Sequence, residues 1–220
     1  MASRWASVPA IERRGEKRTS TDWSQGCPAI LKRGPAKVVL TAFEQEGVWM
    51  QSTRRDLLVD YGRFASPFGT ILYAHSGKGL AALGFGEELE ELSIPHHFQP
   101  SGNEVSSEVV ENALAGYFDG SAAALDQVDL DLAESGFYSL CRAELRKVPF
   151  GQTVTYKGLA ALAGNPKAYR AAASACSTNP IPLFVPCHRV VSSDGSLGGY
   201  AFGTALKASL LKFEANSVGD

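Results

Sequence analysis

The chain contains 220 residues, of which 45% are hydrophobic and 20% are charged, and its formal net charge is −2. This length and composition predict one large domain or two small ones with a proper hydrophobic core. The basic residues near the N-terminus have no apolar run behind them, so we expect neither a secretory signal nor a membrane span. We therefore expect an intracellular protein, cytoplasmic in a bacterium and nuclear in a eukaryote.

The four cysteines are widely spaced and form no C-x-x-C pair: Cys27, Cys141, Cys176 and Cys187. This spacing argues against a disulfide framework and against a four-thiolate zinc site. We expect reduced thiols, no essential metal and no cofactor.

Residues 1–55 are polar, mixed in charge and mostly without periodicity, which predicts a flexible extension. Apolar runs of strand length then occur at residues 57–64, 70–74 and 80–85, with turn signals between them. These runs predict an antiparallel meander.

The next segment, residues 105–118, has the pattern of an amphipathic helix. Its apolar side chains recur at i, i+3, i+4 and i+7: Val110, Ala113, Leu114 and Tyr117. Such a stripe packs well against a sheet, so we predict a small α/β domain over residues 56–128.

The second half, residues 129–216, is predicted to be helical. Its first helix carries apolar residues at helical spacing and ends near residues 149–151: Phe137, Leu140, Cys141 and Leu145. Two short helices at 155–163 and 167–176 flank a break at Gly164, which suggests a helix-turn-helix, and a last helix covers 204–214. The alanine-rich second short helix could approach another surface closely, or could simply pack against neighbouring helices.

Charge is strongly segregated along the chain. Residues 86–134 contain twelve acidic side chains and no Lys or Arg, whereas residues 135–214 contain nine Lys or Arg and only three acidic residues. A basic second half suggests a polyanionic partner such as nucleic acid, although an ordinary solvated surface is the alternative.

Cys187 is a candidate nucleophile because His188 and Arg189 follow it directly and three prolines stiffen the preceding segment, residues 179–186. A neighbouring base or cation favours the reactive thiolate. The alternative is a small buried cysteine beside a structural histidine. The rigid approach to Cys187 favours catalysis.

Several motifs of the second half together resemble the O6-alkylguanine-DNA alkyltransferase family, also called methylated-DNA-protein-cysteine methyltransferases. They are Gly164-Asn165-Pro166-Lys167-Ala168, Pro186-Cys187-His188-Arg189-Val190-Val191 and Gly198-Gly199-Tyr200. Residues 57–128 also resemble the family's N-terminal domain. The resemblance implies an α/β (α+β) fold, with a small ribonuclease-H-like N-terminal domain followed by a helical, winged-helix-like helix-turn-helix domain.

The resemblance also implies a single-turnover repair reaction on double-stranded DNA containing O6-alkylguanine, with O4-alkylthymine as a further candidate lesion. Cys187 would accept the alkyl group, with His188 as its base through a water molecule and Glu214 orienting the imidazole. Tyr156 would donate a proton to N3 of the base, and Asn179 would hold the loop. A monomer without membrane contact is expected.

The DNA contacts implied by the resemblance lie in the helix-turn-helix. Arg170 would fill the stack after the base is rotated out, and the helix would lie in the minor groove. Other DNA contacts would come from Tyr138, Lys157, Asn165 and Ser193, and the base pocket would include Val190, Tyr200 and Ala201. Tyr169 and Arg142 depart from the residue types common at their positions.

Three other functional classes fit parts of the sequence. A lesion binder without catalysis would lack the nucleophile, and Cys187 argues against it. A cysteine hydrolase needs an oxyanion hole and draws its histidine from distant sequence, and neither is found. A plain helix-turn-helix regulator would explain the basic half but not Cys187, His188 and Glu214.

Overall fold

A computed structural model of the chain describes residues 57–132 and 135–217. All of them belong to one compact unit, Phe43–Asp220. The predicted flexible extension, residues 1–55, lies outside the described residues. Within those residues, no helix has the length and apolarity that a membrane crossing requires.

A four-stranded sheet forms the first half of the described chain. Its strands are β1 (Leu58–Ser66), β2 (Gly69–Ser76), β3 (Gly79–Phe85) and β4 (Gln99–Glu104), in the order β3-β2-β1-β4. Strands β1, β2 and β3 are antiparallel neighbours, which confirms the predicted meander. The added strand β4 runs parallel to β1 and was not predicted, because its exposed sequence contains Pro100 and Gly102 and no apolar alternation.

One helix, α1 (Glu108–Phe118), packs against this sheet. Its buried residues are the four of the predicted stripe: Val110, Ala113, Leu114 and Tyr117. The next helix, α2 (Phe137–Arg146), buries Cys141 and Leu145 as predicted. Leu140, which shares the apolar spacing, is instead 54% exposed. Leu140 points about 100° away from Cys141 around the helix axis.

The helix-turn-helix consists of α3 (Tyr156–Leu162) and α4 (Tyr169–Ser177). Thr155 caps α3, since its Oγ1 accepts a hydrogen bond from the Gly158 amide at 3.0 Å. Gly164 follows α3 with φ +86°, a conformation that favours glycine. The last helix, α5 (Thr204–Ser217), completes the fold class that the sequence predicted.

Two short features connect the helices to the segment around Cys187. Residues Cys187–Arg189 form a single 3₁₀ turn. Strand β6 (Val190–Val191) then pairs in parallel with β5 (Val154–Thr155), just before α3. The Cys187 segment is therefore joined by backbone hydrogen bonds to the start of the helix-turn-helix.

The two halves share one hydrophobic core. Leu83 and Tyr117 from the first half belong to the same buried cluster as Ile181, Leu183 and Leu210 from the second. The Leu83 amide also donates to the Pro180 carbonyl at 2.7 Å. The predicted domain boundary between residues 128 and 129 stays a prediction. One hydrophobic core contains residues from both sides of it.

Leu114→Ala should lower the free energy of unfolding by about 2–5 kcal/mol, because Leu114 is fully buried in the shared core. Leu140→Ala is the matched control, and its effect should stay within about 0.5 kcal/mol. Urea unfolding followed by circular dichroism measures both. Equal losses in the two variants would contradict the assigned packing.

Candidate active site

The segment that carries Cys187 is rigid and enclosed. Every residue from 180 to 190 is buried. Leu183 has φ +70°, a left-handed conformation that is uncommon for a residue other than glycine. Short backbone hydrogen bonds tighten the chain before the thiol, including Cys187 N to the Val185 carbonyl at 2.7 Å. Strain of this kind is often found at functional sites.

Asn179 fixes both the backbone of this segment and the thiol. Its Nδ2 donates to the Val185 carbonyl at 2.7 Å and lies 3.2 Å from the Cys187 Sγ. Its Oδ1 accepts from the Ile181 amide at 3.2 Å. Asn179 thus contacts both the backbone of this segment and the sulfur itself.

The thiol lies in the wall of a cavity of about 450 Å³. Cys187 is only 7% exposed, and Tyr156, Tyr200 and Ala201 line the same cavity. The other lining residues are Ala173, Ser174, Cys176, Ser177 and Gly199. Val190, which was expected in the base pocket, does not line this cavity. It is fully buried, and its carbonyl accepts a hydrogen bond from Lys207 at 2.6 Å.

Behind the cavity, the fully buried carboxylate of Glu214 is surrounded by donors. His188 Nε2 lies 2.8 Å from Oε1, and the guanidinium of Arg189 donates to both oxygens at 2.9–3.2 Å. Tyr117 donates to Oε1 at 2.8 Å, and the Gly151 amide donates to Oε2 at 3.1 Å. Burial alone would raise the pKa of Glu214, but the bonds from His188 and Arg189 outweigh it and hold the pKa at about 2.

His188 is fully buried, and its imidazole is neutral. Burial lowers the pKa of its imidazole, and this effect outweighs the opposing pull of Glu214. A neutral ring facing a carboxylate carries its proton on Nε2. Nδ1 then has a free lone pair, and among the described residues it has no hydrogen-bond partner. Nδ1 of His188 can therefore accept a proton and act as a base within the Cys187 segment.

Two cations near the thiol were not predicted. Lys207 is fully buried and donates to the carbonyls of Val190, Leu197 and Gly199. Arg142 is also buried and donates to carbonyls at the end of α4, those of Ala175 and Thr178. Each shares a helical stripe with buried apolar residues, a signal that was available in the sequence.

Arg189 is not the cation that favours the Cys187 thiolate, a role that its position in the sequence suggested. Its guanidinium binds Glu214 and the Val148 carbonyl, and it lies 5.6 Å from the centre of the Phe150 ring. The positive charges that favour the Cys187 thiolate come from Lys207 and Arg142 instead.

The resting thiol is protonated at neutral pH. Burial raises the pKa of Cys187, and the Asn179 hydrogen bond and Lys207 only partly offset that rise. Burial likewise raises the pKa of the Tyr156 phenol, which therefore keeps its proton. Cys176, another cavity residue, has a pKa of about 12, mainly because of burial. Reaction at Cys187 consequently needs a base.

The residues expected to contact DNA do not all lie together. Arg170 is exposed on α4, on the same helix face as the cavity residues Ala173, Ser174 and Ser177. Lys157, Asn165 and Ser193 are exposed around the helix-turn-helix and after β6. Tyr138 lies elsewhere, in the wall of a second cavity of about 340 Å³ with His97 and Arg142.

Glu214→Gln should lower the free energy of unfolding by about 3–5 kcal/mol at neutral pH, because it removes the charge that pairs with Arg189 in the interior. The folded pKa of Glu214 lies below the ordinary value of 4.5, so its stabilising effect is complete above that value and is lost as the pH falls towards 2. The gap between wild type and variant should therefore narrow below about pH 5 in urea titrations. A gap that stays constant down to about pH 3 would contradict the assigned network.

The chain is also similar to known proteins. The family model "6-O-methylguanine DNA methyltransferase, DNA binding domain" matches residues 136–216. A methylated-DNA–protein-cysteine methyltransferase of Methanosarcina barkeri is 39% identical over 160 residues, which cover 72% of this chain and 98% of the relative. The human protein of that name is 51% identical over 75 residues, 34% of this chain and 36% of its own length.

Solved structures give the same result. The OGT of Mycobacterium tuberculosis, crystallised in complex with DNA, has a TM-score of 0.61 and 31% identity, covering 72% of this chain and 94% of that protein. An O6-methylguanine-DNA methyltransferase from Pyrococcus kodakaraensis shares the fold, with a TM-score of 0.54 and coverage of 71% and 98%. The chain belongs to the methylated-DNA–protein-cysteine methyltransferase family.

Proposed function

We propose that this protein repairs DNA by moving a methyl or larger alkyl group from O6 of guanine in a duplex onto its own Cys187. The observation that carries this proposal is the thiol in a cavity wall, with Asn179 on the sulfur and a neutral His188, bonded to the Glu214 carboxylate, behind it. Each molecule reacts once, because the thioether that forms is stable. No metal or cofactor takes part in the proposed reaction.

The chemistry begins at the sulfur. His188 takes the Cys187 proton at Nδ1 through a water molecule, since no direct hydrogen bond joins the two side chains in the described structure. The thiolate attacks the alkyl carbon, an S–C bond forms, and the bond from that carbon to O6 breaks with its electron pair on the base. Glu214 stabilises the imidazolium that results.

Tyr156 acts on the base itself, as the proton donor to N3. Its phenol holds its proton in the resting state and lines the cavity that contains Cys187. Donation of that proton to N3 neutralises the guanine as O6 leaves, which makes the base a better leaving group. The phenolate and the imidazolium then exchange a proton through solvent, and the side chains return to their neutral forms.

The substrate base must leave the duplex to reach Cys187, because O6 is inaccessible in a stacked pair. A cavity of about 450 Å³ is large enough for a purine, and Tyr200 and Ala201 line it. Residues 145–193 include six Lys or Arg and no acidic residue, which suits a phosphate backbone. The alanine-rich α4 would lie in the minor groove, with Arg170 filling the gap in the stack.

Incubation with a duplex that contains O6-methylguanine, followed by mass spectrometry of tryptic peptides, should find one added methyl group on the Cys187 peptide. Cys187→Ser should abolish this transfer and leave the affinity for DNA largely unchanged, because the substitution replaces one buried atom. An unaltered peptide together with tight binding to the lesion would support a non-catalytic lesion binder instead.

Arg170→Ala should slow the reaction with duplex substrate by about tenfold or more, since unpairing and unstacking a base costs a few kcal/mol that the guanidinium would offset. The reaction with free O6-benzylguanine should change little, because that substrate needs no extrusion. Quench-flow measurement of both reactions separates the two effects. Equal losses on both substrates would contradict a stack-filling role.

A further inference from the structure

Tyr169 is an unusual residue on α4. The helix is otherwise built almost entirely of small side chains, yet its first residue is a large aromatic one. Its side chain is 47% exposed, whereas Ala172 and Ala175 of the same helix are buried. The fold therefore does not use the Tyr169 ring as a core residue.

The ring has a specific partner. The guanidinium carbon of Arg170 lies 5.8 Å from the centroid of the Tyr169 ring, within the range of a cation–π interaction. Among the described residues, Arg170 forms no ion pair, and its guanidinium lies against the Tyr169 ring. The two side chains form one cationic and exposed unit, named here the Tyr169–Arg170 pair.

The pair lies beside the mouth of the Cys187 cavity. Tyr169 is four and seven residues before the lining residues Ala173 and Cys176, and Arg170 is four residues before Ser174. Residues at these spacings share a helix face, so both members of the pair lie about one turn beyond the cavity rim. We expect a duplex that delivers a base to Cys187 to contact this pair.

We propose that Tyr169 is a positioning residue for Arg170, and that the Tyr169–Arg170 pair enters the duplex together at the point that the extruded base leaves. This inference rests on the proposed function and deepens it. A guanidinium held over a ring has lost much of its rotamer freedom before it meets DNA, so less is lost on insertion. The ring also supplies an aromatic face for packing against an unstacked base.

In this proposal, the small residues of α4 and the bulky Tyr169 have different roles in contact with DNA. Ala171, Ala173 and Ser174, which are not buried, allow close approach of the helix, and Tyr169 stands at its N-terminal end. The surrounding cations Lys167 and Arg170 are without acidic neighbours in sequence, which favours contact with phosphates.

The test compares Tyr169→Ala with Tyr169→Phe, the matched variant that keeps the ring. Tyr169→Ala should slow transfer from an O6-methylguanine duplex by about 2- to 30-fold, the range that corresponds to cation–π energies. Tyr169→Phe should stay within about twofold of wild type, and both variants should react normally with free O6-benzylguanine. Normal reaction with the free base shows that the variants are folded.

A double-mutant cycle with Arg170→Ala shows whether Tyr169 acts by positioning Arg170 or has an effect of its own on the duplex rate. In the Arg170→Ala background, Tyr169→Ala should lose most of its effect on the duplex rate. Full additivity, an unchanged or faster Tyr169→Ala rate on duplex, or a Tyr169→Phe rate as slow as Tyr169→Ala would each overturn the proposal. If wild type itself places no methyl group on Cys187, the proposed function fails, which is a separate outcome.

Discussion

One buried carboxylate holds the candidate active site together. Glu214 accepts hydrogen bonds from side chains on α1 and the Cys187 segment and from the Gly151 amide. A buried carboxylate without partners would be protonated or would destabilise the fold, so these donors are required as a set. The same bonds fix the ring of His188 and keep its proton on Nε2. The position of the base therefore depends on contacts made far away in sequence.

This dependence explains why the sheet half matters for chemistry in the helical half. Tyr117 comes from the helix that packs on the sheet, and its phenol reaches Glu214 across the shared core. Leu83 of β3 also binds the backbone of the segment that leads to Cys187. The sheet is thus a rigid support for the thiol and its base, and a separate folding unit that ended at residue 128 would lose both contacts.

Apolar patterns in the sequence predicted those elements whose buried residues recur at the spacing of a strand or a helix. Alternating and helical apolar runs located β1 to β3 and the stripe of α1, and the Cys187 motif with its family resemblance indicated His188 and Glu214. Strand β4 was missed because its exposed residues carry no apolar pattern, and helical spacing alone did not show that Leu140, about 100° from Cys141 around the helix, is exposed. Lys207 and Arg142 were missed because charged residues are usually exposed, and the carbonyls that accept their hydrogen bonds belong to residues distant in sequence.

The proposed mechanism requires a neutral His188 with its proton on Nε2 and a free lone pair on Nδ1, beside a thiol that is protonated at rest. Nitrogen NMR of protein labelled in the histidine rings reports both the charge and the tautomer of His188. The resonances should be those of a neutral Nε2–H ring at about pH 7, and Glu214→Gln should alter them. An imidazolium at that pH, or a proton on Nδ1, would contradict the account, because neither form could take the proton from Cys187.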